Sequence, residues 1–353
     1  MEPLNNQILD CLKQRDPFAV ATIMTHKGST PRTSGSKMIV LKDRTIYGTI
    51  GGGLVEALVM DACMKLIDKH QSRIKEFSLD KELKDGLDMV CGGNLTILME
   101  VFVPDPGLTG IFKALVSLEK EGKKGFLVSK IDGFSKSDFT TRKCLVLPDT
   151  TITGQSLIPK PLMDEICDNL FTGTFPVLYN HGLEEYIIEP IHPSDTLYIF
   201  GAGHVGFQLA RMAHLIDVQT VVVDDREEFA NPERFPYSKA VCVVKKFDTA
   251  FDRLSIDESS YIVIITRGHL HDQSVLEQAL KTRAAYIGMI GSRAKRNQIY
   301  TNLKKKGVSD KTLETIFSPI GLEIHAETPA EIAVSIMGEI IKIKAEKGSL
   351  LQT

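Results

Sequence analysis

Apolar and polar residues alternate differently in the two halves of the chain. In the first half, short runs rich in Val, Ile and Thr are separated by loops of Gly, Ser, Thr and Pro, a pattern typical of strands. These runs predict strands at 19–24, 37–41, 95–103, 125–131 and 143–147. Helical spacing predicts a helix at 111–119 and another that begins at Gly51-Gly52-Gly53, with Leu54, Leu58, Ala62 and Leu66 on one face. We therefore expect the first 190 residues to form an α+β domain.

The second half alternates apolar runs with helical patterns. Strands are expected at 197–200, 220–223, 241–244, 261–265 and 286–290, and helical patterns at 205–215 and 275–280. Strands that are apolar on both faces and separated by helices favour a parallel sheet covered on both sides, that is, an α/β domain of Rossmann type. The last helix is predicted to begin at Thr328-Pro329-Ala330-Glu331, a capping box with proline at the first helical position.

Two prolines, Pro190 and Pro193, fall in the segment 189–195 and interrupt regular structure there. We place the linker in this segment, so the expected domains span 1–190 and 195–353. Two domains also agree with the length of 353 residues, since a domain has about 150 residues on average.

Composition and charge disfavour a disordered protein, a fibrous protein and a protein that binds nucleic acid. A hydrophobic fraction of 43% with 25% charged residues is ordinary for a soluble globular protein, and a net charge of -3 provides no positive field for nucleic acid. The six cysteines form no CxxC pair and no spacing typical of zinc or iron–sulfur sites, which favours a reducing cytoplasm. Because we find no apolar signal core and no run long enough to cross a bilayer, we expect a cytoplasmic protein that does not bind membranes.

A dinucleotide fingerprint is the strongest single motif. Gly201-Ala202-Gly203-His204-Val205-Gly206 follows one predicted strand and precedes a predicted helix. In that context Gly201 allows a tight turn, Gly203 lets the backbone approach a pyrophosphate, and Gly206 permits close packing of helix on strand. His204 stands at the expected phosphate edge, although a solvent-facing helical residue is an alternative. A Rossmann-like fold that binds no dinucleotide is also compatible with the motif.

An acidic residue ends the next predicted strand. Asp224 stands where a carboxylate commonly receives the ribose hydroxyls of a dinucleotide, and it is our choice for that role. Arg226 is close enough in sequence to accommodate a 2′-phosphate instead. The choice between NAD and NADP therefore stays open.

A histidine-rich run follows another predicted strand at its carboxyl end. His269, His271 and Asp272 could ligate a metal or move protons, and they are our candidates for catalytic residues. The His-x-His-x-Asp-His pattern of metallohydrolases fails by one residue, because Asp272 follows His271 directly. The alternative is that Asp272 caps the next helix and the histidines are solvated.

The first domain contains two loops that are suited to an anion. The segment 27–37 includes Ser29 and Arg32, and the segment 48–56 includes the glycine-rich helix start Gly51-Gly52-Gly53. Hydroxyls, an arginine and free backbone N–H groups are the chemistry that holds a phosphate. A plain pair of turns is an equally good interpretation.

Two further segments are candidates for ligand contact. Cys91 precedes two glycines, so a thiolate there could coordinate a metal or exchange sulfur, although a buried thiol is the default. Ser292 and Arg293 stand at the start of a basic helix, where they could touch a ligand phosphate. We interpret the later run Lys304-Lys305-Lys306 as a solvated face.

Together these segments resemble the XdhC/CoxI family, the maturation factors of xanthine dehydrogenase and related molybdenum hydroxylases. The resemblance covers most of the chain and rests on the order and spacing of six motifs: Gly28-Ser29-Thr30-Pro31-Arg32, Gly48-Thr49-Ile50-Gly51-Gly52-Gly53, Cys91-Gly92-Gly93, Phe200-Gly201-Ala202-Gly203-His204-Val205-Gly206, Tyr286-Ile287-Gly288-Met289-Ile290-Gly291-Ser292-Arg293 and Ser318-Pro319-Ile320-Gly321-Leu322.

The resemblance implies a chaperone for molybdenum cofactor (molybdopterin). Such a protein binds the cofactor, protects it while its terminal sulfur is installed, and delivers it to an apo-molybdenum hydroxylase such as xanthine dehydrogenase. It need not turn over a substrate. We hypothesise that the first domain's loops and Cys91 hold the pterin phosphate and the metal's ligand sphere, while the Rossmann crevice holds a nucleotide. A homodimer is expected, and a sulfur-donating desulfurase fits as a further partner.

Two other functions compete with this interpretation. An NAD(P)-dependent oxidoreductase would use the fingerprint for its cofactor and one of His269, His271 or Asp272 as proton donor. A metal-dependent hydrolase would use the same residues as ligands. The histidine-rich run also leaves open which hydroxylase receives the cofactor.

Overall fold

The computed structural model describes residues 4–28, 30, 32, 34–78, 93–133, 138–169, 176–193 and 195–350, and at 169, 269 and 347–350 it describes the backbone only. The chain divides into two compact units, Met1–Pro193 and Ser194–Thr353. Within the described ranges, every helix is too short or too polar to cross a bilayer.

The first unit contains two antiparallel sheets of five described strands each. The first sheet has the order β3-β2-β1-β5-β4 and the second has the order β8-β7-β6-β10-β9. The strands are β1 Phe18–Gly28, β2 Lys37–Val40, β3 Ile46–Gly48, β4 Arg73–Ser78, β5 Gly93–Phe102, β6 Gly125–Asp132, β7 Thr140–Val146, β8 Ile152–Gly154, β9 Val177–His181 and β10 Glu184–Ile191.

The described part of this unit has four helices over these sheets, namely α1 Leu4–Gln14, α2 Gly53–Lys69, α3 Pro106–Lys120 and α4 Lys160–Asn169. The central strand β1 is apolar on both faces and is covered by helices on both. Ala19, Ala21 and Ile23 pack against α2, whereas Phe18 and Val20 face the core that contains α1 and α3. This alternation follows from the two-residue period of a strand. Because both faces of β1 are covered, its first seven residues are all buried.

Several elements of this unit differ from the sequence prediction. Helices α1 and α4 and strands β3, β4, β8, β9 and β10 were not predicted, because they are short, mixed in polarity or exposed along one side. The boundary between the units, at Pro193 and Ser194, falls inside the predicted linker segment, but β10 continues through Ile191, so the first residues of that segment belong to a strand. Pro190 is tolerated in β10 because it pairs with β6 alone; the pairing with β9 ends at Ile188.

The second unit is a parallel five-stranded sheet with helices on both faces, which confirms the predicted fold class. Its strand order is β13-β12-β11-β14-β15. The strands are β11 Thr196–Phe200, β12 Gln219–Asp224, β13 Ala240–Val243, β14 Ser260–Ile264 and β15 Tyr286–Met289. The helices are α5 His204–Leu215, α6 His269–Ala279, α7 Arg293–Lys305, α8 Asp310–Leu313 and α9 Pro329–Leu350.

Two hydrophobic layers enclose this sheet. Leu197 and Ile199 of β11 pack with α5 and α9, whereas Tyr198 and Phe200 pack with α6 and α7. The chain builds β12 and β13 on one side of β11 and then β14 and β15 on the other. The order therefore reverses between β11 and β14, and the carboxyl edge at such a reversal is where ligands bind in open α/β sheets.

The start of α9 matches the predicted capping box. The Glu331 carboxylate accepts the backbone N–H groups of Glu327 and Thr328, both at 2.9 Å, and the Thr328 hydroxyl accepts the N–H of Glu331 at 3.3 Å. These bonds satisfy the amides that a helix start leaves without partners.

Candidate functional site

The glycine turn after β11 is shaped by close backbone contacts. Gly201 has φ +125°, and a Cβ atom there would lie 2.3 Å from the carbonyl oxygen of Ile265, the residue that follows β14. A Cβ at Gly206 would lie 2.0 Å from the carbonyl oxygen of Gly201. At Gly203 a Cβ would meet no atom of the described residues within 4 Å. The first and third glycines therefore allow tight packing, and the second leaves the turn open on its outer side.

Helix α5 begins directly at this turn. Gly203 is its N-cap and provides no side-chain cap, and the exposed His204 is its first residue. The N–H groups at the start of a helix carry partial positive charge and bind anions readily. This end of α5 has the geometry for a phosphate.

The carboxylate of Asp224 accepts its hydrogen bonds from other residues of the protein. Its carboxylate is 2% exposed and accepts the N–H of Ala202 at 2.7 Å and three N–H groups of Arg226: the backbone N at 3.1 Å, Nε at 2.9 Å and Nη2 at 3.0 Å. Burial raises the pKa of this carboxyl, but the bonds from Arg226 and Ala202 outweigh it and lower the pKa below its usual range. Asp224 thus ties the fingerprint turn to β12, and its acceptor sites are filled.

The neighbouring carboxylate is placed differently. Asp225 accepts a 2.7 Å hydrogen bond from Nη2 of Arg267, which belongs to the loop after β14. The Oδ1 atom of Asp225 is buried and has no hydrogen-bond partner among the described residues, and it lies 3.8 Å from Nε of Arg226. The Asp225 side chain is 14% exposed and that of Arg267 is 53% exposed.

Asp272 lies under the same edge of the sheet, in a buried ion pair. Its Oδ1 atom accepts Thr266 N at 3.1 Å and Thr266 Oγ1 at 2.5 Å, and its Oδ2 atom accepts Nζ of Lys295 from the first turn of α7. The Asp272 side chain is fully buried. The expected alternative of an N-cap is wrong, because Gly268 caps α6 and Asp272 is in the first turn of the helix. The carboxylate joins the loop after β14 to α7.

Of the two histidines in this run, only His271 has a side chain that the structure describes. The ring of His271 packs against Phe247, with 5.1 Å between ring centroids. The side chain of His269 lies outside the described residues. Over the described residues there is no group of three or more His, Cys, Asp or Glu side chains that could hold a metal ion.

Ser292 and Arg293 stand at the carboxyl end of β15. Ser292 is the N-cap of α7, and its hydroxyl accepts the N–H of Lys295 at 3.3 Å. Arg293 is the first residue of the helix, and both side chains are exposed. They lie on the same edge of the sheet as the fingerprint turn.

In the first unit, the two glycine-rich loops follow β1 and β3, which run in the same direction in the first sheet. β1 ends at Gly28, which is paired with Gly93 at the start of β5, whereas β3 ends at Gly48, which is level with Ala21, seven residues before the end of β1. Arg32 is exposed in the loop between β1 and β2. Ser29 and Cys91 lie outside the described residues.

The helix start at Gly51-Gly52-Gly53 corrects our expectation of free amides. Oε1 of Glu56 accepts Ile50 N at 3.1 Å and Gly52 N at 2.9 Å, and it also accepts the hydroxyl of Thr49. Gly51 N donates to that hydroxyl at 3.1 Å. A carboxylate of the helix's own first turn therefore occupies the place proposed for a bound anion.

The same contacts set the ionisation of Glu56. Partial burial raises the pKa of its carboxyl, but hydrogen bonds from Thr49 and from the amides of the loop outweigh burial and lower the pKa below 4.5. Glu56 is therefore ionised at neutral pH, where it competes directly with an external anion for these amides.

A cavity of about 350 Å³ opens at the other end of the first unit's sheets, beside the start of α3. Two of its basic side chains are already paired: Lys143 binds Glu100 at 2.7 Å, and Arg142 binds Asp132 through two hydrogen bonds. We assign no ligand to it, because its cations are neutralised by carboxylates of the protein.

Sequence reasoning missed Glu56, Arg267 and Lys295. The signal for Glu56 was present, since an acidic residue in the first turn of a helix is a common capping partner. Arg267 and Lys295 gave no such signal, because each reaches a carboxylate that is far away in sequence.

Comparisons with known proteins agree across both units. Residues 197–340 match the family profile described as the XdhC Rossmann domain, and residues 11–78 match the profile described as the XdhC and CoxI family. The chain is 26% identical over 341 residues to a probable xanthine dehydrogenase subunit from Bacillus subtilis (strain 168), covering 94% of this chain and 95% of that protein.

Two proteins of Escherichia coli (strain K12) are also similar. The uncharacterized protein YqeB is 25% identical over 332 residues, and this chain spans only 44% of its length. The molybdenum cofactor insertion chaperone PaoD is 18% identical over 325 residues, covering 92% of this chain and 83% of PaoD. Among solved structures, a xanthine dehydrogenase from Bacillus halodurans superposes with a TM-score of 0.77 at 25% identity, covering 97% of this chain and 96% of that one.

Proposed function

Since this chain belongs to the XdhC and CoxI family, we propose that it is an accessory protein of a molybdenum hydroxylase. It binds molybdenum cofactor as cargo, protects it while the terminal sulfur is installed, and inserts it into an apo-enzyme of the xanthine dehydrogenase type. The observation that carries this proposal is the similarity to PaoD, a named insertion chaperone, over 92% of this chain and hence over parts of both units.

The first unit is the proposed site of the cargo. Arg32 is exposed in the loop after β1, and Cys91 precedes β5, the strand that pairs with β1, by two positions in sequence. A guanidinium can hold the pterin phosphate through paired hydrogen bonds, and a thiolate is a soft ligand suited to a metal–sulfur centre. Because Glu56 engages the amides of Ile50 and Gly52, they have no part in this proposal.

The second unit is the proposed site of a nucleotide. Support comes from the open side of the turn at Gly203, the uncapped start of α5, and the buried Oδ1 atom of Asp225 that lacks a donor. A dinucleotide offers a diphosphate for the helix start and hydroxyl donors for a carboxylate. NAD or NADP would serve here as a bound ligand of the chaperone.

The test is retention of the cofactor. The purified chain is mixed with molybdenum cofactor and passed through a gel-filtration column, and the protein peak is analysed for molybdenum and for the fluorescent oxidised pterin. We expect both to elute with the protein in equal amounts. Cys91→Ser should lose the sulfurated cofactor selectively, whereas Cys167→Ser, a half-buried thiol in α4, is the matched control. Elution of the pterin away from the wild-type protein would refute the proposal.

Delivery and assembly are measured separately. The loaded chain, added to an apo-hydroxylase of the xanthine dehydrogenase type, should restore its activity faster than free cofactor does, and a sulfur-donating desulfurase should increase the yield. We further propose a homodimer, which light scattering at the column outlet would detect as twice the 39.1 kDa mass of one chain.

Turnover of pyridine nucleotide distinguishes the oxidoreductase alternative from the chaperone. It needs a proton donor at the nicotinamide, and the Asp272 carboxylate is unsuited to that role because it is fully buried and bonded to Thr266 and Lys295. A chaperone should bind pyridine nucleotide without oxidising or reducing it across a panel of substrates. Steady turnover by the purified chain would favour the oxidoreductase.

A further inference from the structure

Helix α9 is apolar on the side that faces solvent as well as on the side that packs. Ala333, Ile336 and Ile340 are buried in the core that α9 shares with α5. Val334 and Ile341, on the outer side, are each 50% exposed. A helix that is apolar all round is normally covered on every side. The outer side of α9 is therefore suited to a protein partner.

The segment before α9 extends this apolar surface. Leu322 covers Gly338 in the middle of the helix, because a Cβ atom at Gly338 would lie 2.9 Å from Cδ1 of Leu322. The segment is fixed to α9, since Leu322 N donates to Ser335 O at 3.1 Å and the Ser335 hydroxyl donates to Leu322 O at 2.6 Å. Ile324 follows two positions later. The exposed apolar side chains form what we call the α9 face: Leu322, Ile324, Val334 and Ile341. Exposed apolar surfaces of this kind mark sites of interaction.

The outer side of α9 has the same arrangement of residues from either end. Val334 and Ile341 are equally far from the midpoint between positions 337 and 338, and so are the exposed Ala330 and Ala345. If two copies of α9 pack antiparallel about a two-fold axis at that midpoint, Val334 lies opposite Ile341 of the partner subunit. A two-fold interface uses the same patch on both copies and therefore requires such self-complementarity.

The charges beside the α9 face are complementary in the same arrangement. A helix turns about 100° per residue, so Glu331, three positions before Val334, and Lys342, one position after Ile341, lie on one flank. About the two-fold axis this flank meets its own copy with the direction reversed, which brings Glu331 beside Lys342 of the partner subunit at both ends. A parallel pair would instead place like charges together.

Both charged groups are placed to make this contact. Glu331 is held at the start of α9 by the capping box described above. Lys342 lies 3.9 Å from Glu346 in an exposed pair. Such a pair is worth little, so a carboxylate from a second copy can replace it at small cost.

We propose that the α9 face is the interface of a homodimer in which α9 packs antiparallel on α9 of a second copy of this chain. This inference rests on the homodimer proposed above and names its surface. It does not depend on the site of the cofactor.

The first test is sedimentation equilibrium of the full-length chain over a range of concentrations. Val334→Glu and Ile341→Glu each place a charge in the centre of the interface, so each should raise the dissociation constant of the dimer at least about thirtyfold. Leu215→Glu is the matched control, because Leu215 is 79% exposed at the end of α5 and lies outside the α9 face. It should leave the dissociation constant unchanged.

The second test exchanges the charges. Lys342→Glu places carboxylates opposite each other, and Glu331→Lys places ammonium groups opposite each other, so each variant alone should dimerise roughly tenfold more weakly than wild type. In an equal mixture of the two variants, both contacts of a mixed dimer again join opposite charges. The mixture should therefore dimerise about as tightly as wild type, which a mere loss of the Glu331 cap cannot produce.

Each outcome decides a different statement. A wild type that stays monomeric removes both the homodimer and this interface, whereas dimers that are unaffected by Val334→Glu and Ile341→Glu remove the interface alone. Weakened variants that mixing does not restore overturn the antiparallel arrangement. Loss of helical circular dichroism without a change in mass would mean that the same chain covers the α9 face. Retention of molybdenum cofactor is measured independently, so the chaperone proposal is judged on its own result.

Discussion

Replacing Lys295 by Met tests whether the pair with Asp272 is structural. The Asp272 side chain is fully buried and that of Lys295 is 13% exposed, so the substitution leaves a buried carboxylate with only the two donors of Thr266. Breaking a buried ion pair by removing one partner costs about 3–5 kcal/mol. In a domain of this size each kcal/mol lowers the unfolding temperature by about 2–4 °C, so we expect a fall of roughly 6–20 °C in the second unit.

The assay is thermal unfolding of the full chain followed by circular dichroism, with urea titration for the free energy of unfolding. The double variant Lys295→Met, Asp272→Asn removes both charges and should be more stable than Lys295→Met alone, because no unpaired carboxylate remains. A Lys295→Met protein within about 1 kcal/mol of wild type would contradict the argument from burial. Equal stability of the single and double variants would contradict the argument from charge.

Three more predictions concern the first unit. Glu56→Ala should free the loop amides, so that inorganic phosphate raises the unfolding temperature of the variant but not of wild type. Because folding lowers the pKa of Glu56, its contribution to stability is present above pH 4.5 and is lost as the pH falls through the lowered value. The variant has no carboxylate at this position and should lack this loss of stability. Lys143→Met leaves Glu100 buried and should cost about 3–5 kcal/mol in urea unfolding, with partial recovery on adding Glu100→Gln. Burial raises the pKa of Cys63 to about 12 and of Cys144 to about 11, so a thiol reagent at pH 8 should label them only after unfolding.

Each of these has a result that would contradict it. Phosphate that stabilises wild type and Glu56→Ala equally would mean that Glu56 does not compete for the amides. Wild-type stability in Lys143→Met would show that water reaches Glu100. Labelling of either cysteine in the native protein, located by mass spectrometry, would contradict its burial.

The Rossmann unit was predicted well from sequence because its signals are local. Each strand is a short run that is apolar on both faces, and the fingerprint joins one strand to one helix within six residues. Steric limits act within the same span, as at Gly206, where a Cβ would lie 2.0 Å from Gly201 O. Such constraints involve only neighbours in sequence, so they can be recognised without a structure.

The first unit was predicted less completely for the opposite reason. Strands such as β3 and β8 have three residues and mixed exposure, and they exist because a longer neighbour pairs with them. Pro190 predicted a break, yet β10 continues through it because only β6 pairs there. Pairing between segments that are distant in sequence cannot be recognised from the apolar and polar pattern of either segment alone.

By itself the sequence determined the two kinds of domain, the fingerprint turn and the family. The tertiary structure decided which polar groups have partners. Asp224, Asp272 and the amides around Gly52 were candidates for binding a ligand, and each is bonded to the protein, whereas one oxygen of Asp225 is not. The reason is physical: a hydrogen bond between residues as far apart as Asp225 and Arg267 depends on which strands lie side by side, and only the folded chain fixes that.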